Sequence, residues 1–279
     1  MRDLGALAPI VERKRAEAAA LHCGRAAMFA HAANLEHAPA IERILAGGTV
    51  IAELKRRSPS GGTLRTDLDP VGVAGAYETA GAAAISVLTD GPDFGGSLKD
   101  LVAVRAAVEI PILRKDFVVA PVQIAEARVA GADWVLLIAA VFDGDELDLA
   151  LEATRRCGAG ALVEVHTESD LDRALAAGAG CVGINNRDLT TLSTDLGVFA
   201  RLRSRIPAGV VTVAESGVRD AADVARLVSQ GADAVLVGEA LMRAAEPGPL
   251  LAEMVAAAES AAASSSPPVN LSACILSPA

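Results

Sequence analysis

The chain has 279 residues, 52% hydrophobic and 22% charged, enough for one large core, and α/β barrels commonly reach this size as a single unit. Its net charge of −10 excludes general affinity for nucleic acid, which calls for a basic face, but leaves room for a small anionic ligand at a locally positive site. Four scattered cysteines (Cys23, Cys157, Cys181, Cys274) make no CxxC pair, the charged stretch Glu12 to Arg15 offers no signal-peptide core, and the longest apolar run, "WVLLIAAVF" (134–142), is short for a bilayer; the expectation is a cytoplasmic protein with no metal, disulfide framework or membrane contact.

In chain order, residues 1–48 are Ala-rich and charged, with several helix-forming stretches, and are expected to form a helical extension packed on the rest of the chain. The first strand is "TVIAEL" (49–54), carrying Glu53, with Lys55 and "RRSPSGG" behind it. "DPVGVAGAYETAG" opens a helix with Asp-Pro, and "AGAAAISVL" supplies a second strand behind Gly81. The third, "PILRK" (111–115), ends in Lys115 ahead of Asp116 and Phe117; the fourth, "AGADWVLLI", comes after Gly131. "ALVEV" (161–165) is the fifth and carries Glu164, with His166 and the helix "TESDLDRALAAG" after it, its Thr a cap and its first turn acidic. The sixth, "AGAGCVGIN" behind Gly178, ends in Asn185, Asn186 and Arg187. "VVTVA" (210–214) runs into "ESG", and "QGADAVLVG" behind Gly231 ends in Gly238 and Glu239. The barrel is expected to close by residue 261, leaving 262–279, small, polar and Pro-containing, as a disordered tail.

The Gly-Ala junctions precede strands two, four, six and eight at nearly even intervals. A glycine in the left-handed conformation ends a helix, and an apolar, β-branched run then enters the sheet. Strands this uniformly apolar are covered on both faces, as in a parallel sheet. A pair of βα units repeated four times predicts an α/β fold, a closed (β/α)8 TIM barrel with an N-terminal helical extension.

Barrel sites lie at the C-terminal strand ends, where Glu53, Lys55, Lys115, Glu164 and Asn185 gather. Glu164 stands out, because an unpaired carboxylate in a buried strand is costly and needs partners, a shifted pKa or a task. Taken singly, Glu53 and Lys55 read as a strand-end salt bridge, Asp116 and Asp188 as caps, His166 as a structural hydrogen-bonding residue, and Phe94 and Phe117 as core. Taken together they converge on one mouth, an arrangement suited to acid/base work, with the two phenylalanines as walls for a planar substrate. The glycines in "ESG" and "VGEALM" fall where barrels bind phosphate through backbone N–H groups.

The segments "IAELKRRSPS" (51–60), "SVLTDGPDFGGSL" (86–98), "PILRKDF" (111–117), "QIAEARVAGADWVLLIAA" (123–140), "LVEVHT" (162–167), "GINNRDL" (183–189), "VAESGV" (213–218) and "VLVGEALMR" (235–243) are similar to those of the indole-3-glycerol phosphate synthase family. The resemblance implies ring closure of 1-(2-carboxyphenylamino)-1-deoxyribulose 5-phosphate with loss of carbon dioxide and water, and no metal or organic cofactor. It implies Lys115 as the acid of ring closure, its neighbouring charges letting it release a proton near neutral pH. Glu164 would handle protons in the later steps, Lys55 would be a second lysine on the substrate, and Glu53 would orient both lysines, with Asn185 nearby. Ser58, Arg187, Ser216, Gly217, Gly238 and Glu239 match substrate- or phosphate-binding positions, and Phe94, Phe117 and Leu136 the pocket for the aromatic ring. Its only implied partner is a phosphorylated small molecule, with no obligate protein partner. The family often has a Lys where this chain has Gly61, which suggests a more weakly held loop after strand one. The related phosphoribosylanthranilate isomerase uses a Cys/Asp pair, and no Cys stands at the end of strand one here. A non-enzymatic barrel serving as an assembly partner would have no need of Lys115 or Glu164.

Overall fold

A computed structural model describes residues 4–21, 24–188 and 191–265. Cys23, Cys274, Leu189 and the part of the expected tail at 266–279 lie outside them. Eight parallel strands close into a barrel: β1 (Thr49–Leu54), β2 (Ala84–Leu88), β3 (Ile112–Lys115), β4 (Trp134–Ile138), β5 (Gly160–Val165), β6 (Cys181–Asn185), β7 (Val211–Glu215) and β8 (Ala234–Val237). β8 pairs back to β1, with Val50 opposite Val235. A small antiparallel hairpin, Arg57–Ser58 with Gly62–Thr63, rises from the loop after β1.

Helices α1 (Ala8–Ala20), α2 (Arg25–Ala33) and α3 (Ile41–Ile44) precede β1. The barrel helices are α4 (Pro70–Thr79), α5 (Leu98–Arg105), α6 (Pro121–Val129), α7 (Glu146–Arg156), α8 (Glu168–Ala176), α9 (Gly197–Arg203), α10 (Ala221–Ser229), the short α11 (Glu239–Arg243) and α12 (Pro247–Ser265). The caps explain two of the starts: Asp69 accepts from the Val71 N–H ahead of α4, and Thr167 and Asp170 form a reciprocal box ahead of α8. The four junction glycines have φ between +80° and +99°, the left-handed turn that stops each helix before its strand. α12 passes the expected boundary at 261, because Ala262 still packs on the core and keeps the last turn docked. No helix among the described residues is long and apolar enough to cross a membrane.

Strand alternation splits the core in two. Val50, Ala52 and Leu54 of β1, with Val163 and Val165 of β5, face the helices. Ile51, Leu113, Trp134, Leu136, Leu162, Val213 and Leu236 fill the barrel interior. Trp134 sits deep in this interior with no exposed surface, its indole N–H donating to the Pro39 carbonyl at 2.8 Å. The same inward parity carries Glu53, Lys115, Glu164 and Glu215 to the top layer, where apolar filling gives way to charge.

Candidate active site

The C-terminal ends of the strands open into a cavity of about 810 Å³. Every site residue expected from the sequence lines it: Glu53, Lys55, Ser58, Phe94, Lys115, Phe117, Leu136, Glu164, Asn185, Arg187, Ser216, Gly217, Gly238 and Glu239.

Its floor is an ionic cluster. The Lys115 ammonium donates to Glu164 Oε2 and to Glu215 Oε2, each at 2.9 Å. Asn185 Nδ2 donates to the other Glu164 oxygen at 2.9 Å, and Lys55 pairs with Glu53 at 2.6 Å. Glu53, Glu164, Glu215 and Asn185 are each at most 4% exposed. Strand register sets these contacts, with Asn185 level with Glu215 and Glu164 level with Gly183. His166 holds the Asn185 carbonyl through Nδ1 at 2.7 Å, a structural role.

Burial and charge then sort the protons. Burial works against the Lys115 cation, but the carboxylates of Glu164, Glu215 and Glu53 outweigh it and raise its pKa. Glu164 and Glu215 at hydrogen-bond distance keep Lys115 an ammonium, the proton-bearing form that a general acid requires. Burial also opposes the Glu164 charge, yet Lys115 and the Asn185 amide overcome it, and its pKa is lowered. Glu215 ends differently: burial, reinforced by the Glu164 and Glu53 charges, pushes it up to about 8 despite Lys115. The group poised near neutrality is therefore Glu215.

Glu215 is a residue of the cavity floor to which the sequence pattern alone assigns no role. A signal for it exists, since it ends β7 with the same inward parity as Val213. Its Oε1 is buried without a hydrogen-bond partner, and it presses so close to Gly183 that a Cβ there would lie 2.1 Å away. Glu53 pairs with Lys55 and acts on Lys115 through its charge.

The walls come from several elements. Phe94 and Phe117 stand with ring centroids 6.0 Å apart and, with Leu136, form an apolar side. Ala6, Leu7, Pro9 and Ile10, ahead of and within α1, close that side; the sequence places an extension here without saying which residues face in. Opposite, Ser216 at φ 67° and Gly217 at φ 82° turn successive backbone N–H groups, a form suited to anions. Gly238 starts α11, and a Cβ on it would meet Glu53 Oε1 at 2.2 Å and Lys55 Nζ at 3.0 Å. Arg187 reaches Ser60 Oγ and lies 3.7 Å from Glu239. Arg243 joins Glu239 at 3.0 Å and the Gly61 carbonyl at 2.9 Å. Ser58 Oγ accepts from the Gly61 N–H at 3.0 Å. Among the described residues no group of three or more His, Cys, Asp or Glu is arranged to hold a metal ion.

The family model of indole-3-glycerol phosphate synthase matches residues 8–254. The chain belongs to the indole-3-glycerol phosphate synthase family. Curated relatives carrying that name agree with this membership. The protein of Mycobacterium ulcerans is 55% identical over 208 residues, 75% of this chain and 76% of the relative. That of Parafrankia sp. is 55% identical over 209 residues, covering 75% and 78%. That of Mycolicibacterium gilvum is 51% identical over 230 residues, covering 81% and 85%. The family match begins at Ala8 and so takes in α1, the helix that completes the cavity wall.

Proposed function

We propose that this protein is an indole-3-glycerol phosphate synthase, a carboxy-lyase of tryptophan biosynthesis that converts 1-(2-carboxyphenylamino)-1-deoxyribulose 5-phosphate to indole-3-glycerol phosphate, carbon dioxide and water. The observation that carries the reading is the Lys115 ammonium held between Glu164 and Glu215 on the floor of the cavity, in a chain of this family.

The ring of the substrate lies between Phe94, Phe117, Leu136 and the start of α1, and the phosphate against the backbone at Ser216, Gly217, Gly238 and Glu239, with Ser58 and Arg187 beside it. This stretches the sugar across the ionic floor. The ring carbon bearing the carboxylate attacks the ketone carbon, and Lys115 gives the ketone oxygen its proton as the bond forms; a fixed cation at a developing alkoxide is the kind of stabilisation that lowers such barriers most. Carbon dioxide leaves with its bonding pair remaining in the ring, so no electron sink is needed. Glu164 takes the proton whose loss restores the indole, and Lys55, set by Glu53, protonates the departing hydroxyl as water. Asn185 fixes Glu164 for its part.

Operation in the cytoplasm, with no cofactor, nucleic acid, membrane or obligate protein partner, belongs to the same reading and is supported by the acidic charge and by cysteines whose sequence spacing makes no CxxC pair. The experiment is to add the deoxyribulose phosphate to purified protein and follow formation of the indole product. Absence of product at substrate concentrations up to millimolar would overturn it.

A further inference from the structure

Arg13 and Lys14, neighbours on α1, bind the two loops that carry the aromatic wall. Arg13 pairs with Asp90 at 2.9 Å and Asp93 at 2.6 Å, in the loop after β2 that continues into Phe94. Lys14, only 4% exposed, pairs with Asp116 at 2.8 Å and Asp90 at 3.2 Å, and with Glu17 on its own helix at 3.1 Å. Asp116 sits between Lys115 and Phe117. Its Oδ1 takes the Lys14 ammonium and the Phe117 N–H, and its Oδ2 the Thr89 hydroxyl and the Arg114 guanidinium. One helical turn before Lys14, on the same buried face, Ile10 lines the cavity.

A buried ammonium is a poor way to add stability, because its desolvation consumes most of the Coulombic gain. Here it is set between two acidic loops, each of which delivers one phenylalanine, and that placement is specific. Burial opposes the Lys14 charge, and the Asp116 and Asp90 carboxylates more than compensate, so it stays ionised.

We propose that Lys14 is a positioning residue for the reaction: it joins α1 to Asp90 and Asp116 and so sets the spacing of Phe94 and Phe117 around the aromatic half of the substrate. This rests on the ring-closing reading of the cavity. Lys14 touches no substrate; it acts through Asp116 and Asp90 on the wall.

The test is Lys14→Met with Lys14→Arg as its control. Loss of Lys14 leaves Asp90 with Arg13 and Asp116 with Arg114, so neither carboxylate is stranded and the variant is expected to fold, as circular dichroism checks. With the deoxyribulose phosphate, Lys14→Met is expected to raise KM about 10-fold with a smaller fall in kcat, the order of loss that a displaced wall produces. Inhibition by 2-aminobenzoate, a probe of the aromatic half, should weaken by a similar factor, while inhibition by inorganic phosphate stays unchanged. Lys14→Arg should restore most of both, and Lys14→Met combined with Asp116→Asn should fall short of the sum of the singles. Equal weakening of both inhibitors, or an unchanged KM, overturns the proposal. If Lys14→Met does not fold, Lys14→Gln, which keeps a donor toward Asp116, must show the same split between the two inhibitors or the proposal fails. A wild type that makes no indole product would instead overturn the reading of the site, so the two failures are distinct.

Discussion

Glu164 and Glu215 reach the same Lys115 ammonium at the same 2.9 Å, one from β5 and one from β7, yet their pKa values move in opposite directions. Asn185 accounts for much of the asymmetry: it donates to Glu164 and leaves Glu215 with an orphaned, buried oxygen. One cation and one amide suffice to ionise one carboxylate, and burial then keeps the other protonated.

Glu215 makes stability depend on pH. With its pKa raised from about 4.5 to about 8 on folding, the folded state binds the extra proton between those values. Its stabilising share is therefore complete below about 4.5 and is lost as pH rises through about 8. Glu215→Gln should flatten that decline. The thermal midpoints of wild type and variant, compared at pH 5 and pH 9, should diverge by at least about 2 °C in favour of the variant at the higher pH, the shift ~1 kcal/mol produces in a domain of this size. Parallel profiles would show that Glu215 is ionised throughout.

Glu164 has the opposite sign. Its lowered pKa contributes stability above its ordinary value, near 4.5, and that share is lost as pH falls through the depressed one. Glu164→Gln should cost stability at pH 7, of order 1–3 kcal/mol for a buried paired group, and less at pH 4. Its kcat should fall about 10²–10⁴-fold, the value of a positioned proton-transfer group. Denaturation curves at the two pH values and single-turnover kinetics measure both, and a near-normal kcat would make Glu164 structural.

Lys115→Met should stop ring closure while leaving substrate bound. A drop of about 10²–10⁴-fold or more in kcat, with phosphate inhibition unaltered, is expected. A variant that keeps its turnover would transfer the acid role to Lys55.

Gly238→Ala tests the closeness of the second pair. The added methyl would sit 2.2 Å from Glu53 Oε1 and 3.0 Å from Lys55 Nζ, so the pair must move. Because φ at this residue is −129°, outside the left-handed region, and the atoms to be displaced are side-chain ends, the loss should appear chiefly as a fall in kcat/KM of about 10-fold or more. Unchanged kinetics would mean that the position of Glu53 and Lys55 is immaterial.

Exhaustive EDTA treatment and then dialysis should leave activity intact, given that the floor is built from lysines and carboxylates already paired with one another. Loss of activity that zinc or magnesium restores would refute the proposed chemistry.

The barrel is legible in the sequence because two local signals agree: left-handed glycines at 81, 131, 178 and 231 and apolar runs behind them. The floor is legible for Glu53, Lys115 and Glu164, since inward parity at a strand end is a property of neighbouring residues. Glu215 lies in plain view in "ESG", but the glycine of that motif points to phosphate and draws attention from the carboxylate. What no local pattern conveys is distance between segments far apart in the chain. Lys14 meeting Asp116, or Leu7 and Ile10 facing the cavity, depends on how α1 lies across the mouth. The direction of the Lys115 shift likewise depends on two carboxylates from other strands arriving together.

The single tryptophan has an experimental consequence. Trp134 is sealed in the lower barrel and bonded to Pro39, in the segment that leads from α2 to α3. Its emission should be blue-shifted and indifferent to ligands at the mouth, so fluorescence from a newly made indole rises over a constant background. The same chromophore reports detachment of the N-terminal segment: a red shift during mild denaturation, arriving before the helical signal falls, would time the release of that segment from the barrel floor.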